Sequence, residues 1–142
     1  MVTLEYKTGD IGEIKKFVSN ILKEIFNSPA KGLEDLDNID KNFIKFWVEK
    51  QNGKLIGTIG LKKEGERFRI ARIYVDKAFR DEGIGTKLMN KLLKYCRQNK
   101  ITDFFLTTYK QMNSIGFYEK MGFRIIKEEG NIITMRYSVI IK

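Results

Sequence analysis

The residues best placed for chemistry lie in the segment Arg80–Thr86, Arg-Asp-Glu-Gly-Ile-Gly-Thr. This segment follows the apolar run Ile70–Val75 and precedes Leu88–Cys96, which has the spacing of an amphipathic helix. A strand, a glycine turn and a helix N-terminus in that order direct unpaired backbone N–H groups and the positive end of a helix dipole at one point. Gly83 and Gly85 permit positive φ and a close approach of backbone to ligand, and the arginine adds a cation at the rim. The segment therefore predicts a site for a ligand that carries phosphate.

Two common phosphate loops do not fit this segment. A Walker loop requires Gly-Lys-Ser/Thr, whereas Thr86 here precedes Lys87 directly after the second glycine. A Rossmann fingerprint requires a third glycine at the position of Leu88. The pattern that remains is Arg-x-x-Gly-x-Gly after a strand.

A second motif lies downstream, in Gln111–Phe123. It follows Asp103–Thr108, which has the pattern of a short buried strand, and it ends in Phe-Tyr-Glu-Lys-Met-Gly-Phe. Together the two motifs resemble those of the GNAT superfamily of N-acetyltransferases, in which the glycine loop holds the pyrophosphate of acetyl-CoA. In the second motif Ser114 occupies the usual small position, and Gln111 stands where the family often has Asn, with another amide nearby at Asn113.

The resemblance implies a direct transfer of acetyl from CoA to a primary amine. It implies that the cofactor's amide arm pairs with the backbone of a bulged strand and that a backbone N–H of that strand faces the thioester carbonyl. It also implies that Tyr118 is the catalytic acid, which protonates the departing sulfur. It also implies cofactor contacts at Ile73, Tyr74, Val75, Arg80, Asp81, Glu82, Gly83, Ile84, Gly85, Thr86, Gln111, Asn113, Phe117 and Lys120.

The general base and the acceptor site are less clearly marked. The chain has no histidine, and many relatives place Glu near the position that Arg69 occupies here. The remaining candidates are carboxylates that equally suit solvated loops, namely Glu66, Glu34, Asp35 and Asp37, or solvent acting on the amine. The acidic segment predicts a cationic amine acceptor bound by Asp35, Asp37 and Trp47, although Phe46 and Trp47 point to opposite faces of a strand, so that at most one of them lines the pocket.

Composition limits the other functions. One cysteine and no histidine make a metal site unlikely, and Cys96 falls in the apolar stripe of its helix, which predicts a core position. The net charge is +9, and residues 67–127 hold 14 Lys and Arg against 5 Asp and Glu. A polyanionic cofactor and a solvated lysine-rich helix face both explain this excess, and we expect no nucleic-acid partner because no reading motif is present. We also expect no membrane span, no signal peptide and a cytoplasmic location.

The order of patterns predicts an α/β (α+β) fold with a mixed, mostly antiparallel GNAT-type sheet and helices on both faces. The chain is expected to form a single domain over 1–142, with a homodimer possible. Asn52-Gly53 predicts a hairpin. The apolar alternation slips near Ile70–Ala71, which indicates either a β-bulge or a strand buried on both faces, and the resemblance favours the bulge. Two functions compete with the enzyme: a non-catalytic module that binds acyl-CoA, and a basic nucleic-acid-binding domain.

Overall fold

The computed structural model describes residues 2–28 and 31–138. Within these ranges the helices are α1 (Ile11–Phe26), α2 (Ile39–Asn42), α3 (Ile84–Gln98) and α4 (Ile115–Lys120). The strands are β1 (Val2–Glu5), β2 (Lys45–Gln51), β3 (Lys54–Glu64), β4 (Arg67–Val75), β5 (Asp103–Tyr109), β6 (Arg124–Glu129) and β7 (Ile132–Ser138). The sequence predicts that the last strand continues to Ile141, and that end lies outside the described residues.

The strands form one sheet in the order β1-β2-β3-β4-β5-β7-β6. Every neighbouring pair is antiparallel except β4 and β5, which are parallel and are connected through α3. Asn52 and Gly53 both have positive φ, as a two-residue hairpin turn between β2 and β3 requires. The predicted mixed, mostly antiparallel α/β fold is confirmed.

Helices cover both faces of the sheet. Ile14 and Val18 of α1 pack with Phe46 and Val48 of β2, whereas the apolar stripe of α3 packs in a separate cluster that includes Trp47. Alternate residues of β2 therefore contact opposite layers, as the period of a strand dictates. Cys96 lies in the α3 cluster with 1% of its surface exposed, and burial raises the pKa of its thiol to about 11. Its predicted core position is confirmed.

The central strand β4 contains the bulge. Gly60 of β3 lies opposite Ala71 and Thr58 lies opposite Tyr74, so two residues of β4, Arg72 and Ile73, share one residue across the ladder. Arg72 has φ +58°, in the left-handed region that costs a non-glycine residue about 1 kcal/mol. The bulge is thus confirmed, one to two residues beyond the predicted position.

The bulge has a consequence for the next strand. The parallel ladder between β4 and β5 contains only Phe68 opposite Phe104 and Arg69 opposite Phe105. Beyond Arg69 the two strands separate, and the side of β4 that faces β5 has no ladder partner over residues 70–75. The sheet therefore opens at its centre.

Candidate active site

A cavity of about 750 Å³ lies where β4 and β5 separate. Residues 69–74 of β4 form one wall and residues 106–109 of β5 form the other. The remaining lining comes from α1 and the segment after it, from β3, and from the region that leads into and through α4: Leu22, Phe26, Ser28, Lys31, Gly32, Asp35, Lys62, Met112 and Tyr118. The volume is within the usual range for a small-molecule site.

The glycine loop lies between the end of β4 and the start of α3. Asp81 and Gly83 both have positive φ, +66° and +80°, and α3 begins at Ile84. The first helical hydrogen bond runs from Lys87 N to Gly83 O at 3.0 Å. The N–H groups of the preceding helical residues consequently have no acceptor within the helix, as the first turn of any helix leaves them. They provide the donors that a pyrophosphate requires.

Gly85 brings the two motifs into contact. A Cβ at this position would lie 3.4 Å from Cζ of Phe117, in α4. Phe117 in turn contacts Tyr118, with 5.3 Å between the ring centroids, and Tyr118 lines the cavity. The loop, α4 and the cavity are therefore contiguous. Gln111, Asn113 and Lys120 lie in or beside this second motif with exposed side chains, for which the described residues provide no hydrogen-bond partner.

Tyr118 is the titratable group of this motif that lines the cavity. Its side chain is 6% exposed, and burial raises the pKa of its phenol well above the ordinary value of 10, with a further increase from Tyr74 that a hydrogen bond with Ser114 partly offsets. The Ser114 hydroxyl also lies 3.0 Å from Oγ1 of Thr108 in β5. Tyr118 thus keeps its proton at neutral pH, which is the state that an acid or a hydrogen-bond donor needs.

Arg80 does not stand free at the rim of the loop. Its Nη1 donates to Oε1 of Glu24 at 3.0 Å, and its Nε donates to the carbonyl of Val75 at 3.1 Å. The arginine therefore ties the loop to the end of β4 and to α1. A phosphate that used this cation would have to compete with an exposed ion pair, which is a weak interaction.

The residues of this site fit acetyl-CoA. The loop provides backbone donors, Gly85 leaves the space beside Phe117 that a side chain would fill, and Ile73, Tyr74 and Val75 have no ladder partner on the β5 side of β4. Ile73 and Tyr74 line the cavity.

The structure corrects the predicted acceptor contacts. Trp47 is 3% exposed and packs edge-to-face on Tyr95 of α3, and Phe46 is 1% exposed, so neither lines the cavity. Asp37 pairs with Lys15 on an exposed surface, outside the cavity lining. Trp47 lies outside the cavity lining because β2 is an interior strand covered on both faces, and Asp37 lies outside it because its short turn directs it to α1.

Asp35 does line the cavity, but it is not a free carboxylate. Arg72 donates to it through Nη2 at 2.8 Å and Nε at 3.1 Å, and Lys62 contributes an ion pair at 2.9 Å. Burial alone would raise the pKa of Asp35, but the hydrogen bonds from these two cations outweigh burial and lower it. Arg72 also donates to the carbonyl of Gly32 at 2.7 Å. We call these contacts the clasp, because they fasten the segment after α1 to the bulge of β4.

Sequence reasoning missed the cations of the cavity. Lys62, Arg69 and Arg72 line it, and Arg72 also contacts the hydroxyl of Tyr74 at 3.4 Å in the β4 wall. The sequence contained an indication of these cations, because Arg67, Arg69 and Arg72 interrupt a strand that the pattern places at the centre of the sheet. Charged residues in such a strand need a partner or a solvent-filled opening.

Residues 2–28 and 31–138 contain neither a candidate metal cluster nor a helix that could span a membrane. No group of three His, Cys, Asp or Glu side chains there could hold a metal ion. None of the helices in these ranges combines the length and the apolar character that crossing a bilayer demands.

Comparison with known proteins extends the resemblance of the two motifs. The model of the acetyltransferase (GNAT) family matches residues 15–123. Human N-acetyltransferase 8B is 26% identical over an alignment of 102 residues, and the match covers 63% of this chain and 45% of that protein. The chain spans about half the length of several such curated relatives.

Two solved structures match nearly the whole chain. An acetyltransferase of the GNAT family from Staphylococcus aureus Mu50 is 27% identical, with a TM-score of 0.87 and coverage of 96% of this chain and 98% of that one. A PaiA N-acetyltransferase from Thermoplasma acidophilum in complex with coenzyme A has the same fold at 18% identity, with a TM-score of 0.81 and coverage of 98% and 100%. Since the matched residues include both the glycine loop and the Tyr118 motif, this chain belongs to the GNAT acetyltransferase family, whose cofactor is acetyl-CoA.

Proposed function

We propose that this protein transfers an acetyl group from acetyl-CoA directly to a primary amine. The observation that carries the proposal is the opening between β4 and β5, which contains the bulge residues and Tyr118 and is linked to the glycine loop through Phe117. Acetyl-CoA supplies the activated acetyl group as a thioester. The chain has to hold it, orient the amine and manage two protons.

The chain holds the cofactor with backbone rather than with charge. The N–H groups of Ile84, Gly85 and Thr86 face the pyrophosphate site, and the unpaired side of β4 from Ile73 to Val75 receives the amide arm. A backbone N–H of Ile73 or Tyr74 then polarises the acetyl carbonyl, as an oxyanion donor does. Thr58 supports this geometry, because its hydroxyl donates to the carbonyl of Arg72 at 2.8 Å and holds the bulge in place.

Among the described residues that line the cavity, Asp35 is the one carboxylate, and the clasp engages it. The chain therefore handles the amine proton by electrostatics. Positive charge on Arg69, Arg72 and Lys62 disfavours a second cation nearby and lowers the pKa of a bound ammonium group. The amine gives its ammonium proton to solvent and attacks in the neutral form. As the C–N bond forms and the C–S bond breaks, the nitrogen loses a further proton, which balances the proton that the departing sulfur gains.

Tyr118 manages the second proton. Its Oη is protonated at neutral pH and donates to the sulfur that leaves, with Ser114 and Thr108 fixing the local hydrogen bonds. A thiol has a pKa near 8.5, below that of this phenol, so the tyrosine stabilises the thiolate chiefly by hydrogen bonding and the final proton can come from water.

The direct test is release of free CoA thiol when the protein is mixed with acetyl-CoA and a panel of amines, with the acetylated product identified by mass spectrometry. One observation favours a second function, a non-catalytic acyl-CoA-binding module: the clasp leaves no free carboxylate in the described lining of the cavity. Tight CoA binding by calorimetry with no acetylated product from any amine would support that module and contradict the enzyme.

A further inference from the structure

The charge of the cavity indicates which amine it accepts. Four cationic side chains line it, Lys31, Lys62, Arg69 and Arg72, against the single carboxylate of Asp35. Arg72 and Lys62 share that carboxylate, so the described lining carries an excess of positive charge. A cationic acceptor would enter against this charge, contrary to the expectation from the acidic segment.

Arg69 is a cation of this lining whose hydrogen-bond donors are only partly engaged. Its Nη1 donates to Glu64 at 3.2 Å, in a pair whose side chains are 32% and 46% exposed, and its Nη2 donates to Thr107 at 2.9 Å. Its Nε is buried and has no partner among the described residues. A guanidinium has five N–H donors, and with Nε buried Nη1 and Nη2 each keep one N–H that Glu64 and Thr107 do not use. The exposed ion pair with Glu64 is a weak competitor for an anion.

We propose that the acceptor is an amine that also carries a carboxylate, and that Arg69 binds this carboxylate. The inference depends on the proposed function, which places the reacting amine at Ile73 and Tyr74. Ile73 lies four residue steps along β4 from Arg69, which is about 13 Å of rise in a regular strand, and both residues line the cavity. The carboxylate of the acceptor therefore lies roughly 10 Å from its amine.

Two sources provide this chemistry, a free amino acid with a long spacer and a peptide N-terminus followed by an acidic residue. Matched probes distinguish them. The first set is 8-aminooctanoate, its neutral amide and 1,8-diaminooctane, which have spacers of matched length and differ in terminal charge. The second set is the peptide amides Ala-Glu-Ala, Ala-Gln-Ala and Ala-Lys-Ala. The set in which the carboxylate probe exceeds its neutral counterpart by the larger factor shows whether the acceptor is a free amino acid or a peptide.

The experiment first measures binding of each probe by calorimetry to the full chain saturated with CoA, and then measures kcat/KM with acetyl-CoA. Charged hydrogen bonds of this kind change affinity about 10- to 100-fold, so we expect the carboxylate probe to exceed its amide by that factor and the cationic probe to be weakest. The difference should decrease with salt, because the cavity is open to solvent.

Substitutions in β4 test whether Arg69 causes the preference for the carboxylate probe. Arg69→Gln should bring the carboxylate probe down to the level of its amide without changing CoA affinity, and Arg69→Lys should restore part of the preference. Arg67→Gln is the matched control, because Arg67 lies two residues away on the same strand and outside the cavity lining. Thermal unfolding checks that each variant is folded.

The outcomes separate this inference from the proposed function. A preference for the carboxylate that Arg69→Gln removes supports the inference, even where no probe is acetylated and the enzymatic function fails. Equal or better binding and turnover of the neutral or cationic probes overturns the inference while acetyl transfer stands. Loss of CoA affinity in Arg69→Gln also overturns it, since the cation would then serve the cofactor.

Discussion

The clasp provides the sharpest structural prediction, through the substitution Asp35→Asn. The carboxylate accepts hydrogen bonds at 2.8 and 3.1 Å from Arg72 and an ion pair at 2.9 Å from Lys62. The three side chains are only 15 to 17% exposed. The amide keeps the shape of the side chain and one acceptor oxygen, but it leaves two cations without their counter-charge.

The loss of stability expected for Asp35→Asn lies between two limits. Removing one partner of a fully buried ion pair costs about 3–5 kcal/mol, whereas an exposed pair contributes about 0–1 kcal/mol. Partial exposure and the remaining oxygen reduce the first figure, so we expect a loss of about 1–3 kcal/mol in the free energy of unfolding. For a chain of 142 residues this lowers Tm by roughly 3 to 9 °C.

The pH dependence has a definite sign. The folded-state pKa of Asp35 lies below its ordinary value of 3.8, because the hydrogen bonds from Arg72 and Lys62 outweigh the effect of burial. Its stabilisation is therefore complete above pH 3.8 and is lost as the pH falls through the lowered pKa. The difference in Tm between the wild type and Asp35→Asn should accordingly shrink at pH values below 3.8.

Calorimetric unfolding of both proteins across this pH range is the measurement, and Asp37→Asn is the control. Asp37 pairs with Lys15 through side chains that are 57% and 40% exposed, so its replacement should change stability by less than about 0.5 kcal/mol. Equal changes in Tm for the two variants would refute the clasp. An unchanged Tm for Asp35→Asn, with a selective loss of kcat/KM for cationic amines, would instead restore the acidic segment as a capture site for cations.

Three further predictions concern the cofactor site and the core. Tyr118→Phe should lower kcat roughly 10²-fold, because it removes the donor to sulfur and keeps the ring packing, while the Kd for CoA stays the same. Unchanged turnover would show that the departing sulfur needs no hydrogen bond from Tyr118. Gly85→Val should weaken CoA binding at least about 10-fold in calorimetry, because its added carbons compete with Phe117 at 3.4 Å and with the ligand for the same space. Gly12→Ala, where a Cβ meets nothing within 4 Å, is the matched control, and equal affinities in the two variants would contradict the assignment of the loop. Cys96 should resist thiol reagents in the native protein and react only on unfolding, because it is 1% exposed and burial raises its pKa to about 11; rapid labelling of the folded protein would show that this core opens.

Local features of this chain were predictable because each depends on neighbours in sequence. The hairpin at Asn52 and Gly53, the apolar stripe of α3 and the turn before Ile84 each follow from backbone preferences and periodicity over a few residues. The family resemblance is also local, because it depends on two short motifs whose residues are neighbours in sequence. The bulge was predicted near Ile70–Ala71 and lies at Arg72 and Ile73, since alternation marks a slip without fixing which residue absorbs it.

The acceptor side was not predictable, because it depends on contacts across long separations in sequence. Asp35 and Arg72 are 37 residues apart, and nothing local indicates that one neutralises the other. Trp47 carried no sign that its strand would be covered on both faces by α1 and α3.

By itself the sequence determined the fold and the family, and it predicted a phosphate-binding loop. Only the tertiary structure decided the sign of the charge in the cavity, because that charge is the sum of side chains from the segment after α1, from β3 and from β4. Charges distributed evenly along a chain can be separated in space by folding, and the field at a site depends on distance rather than on order in the sequence.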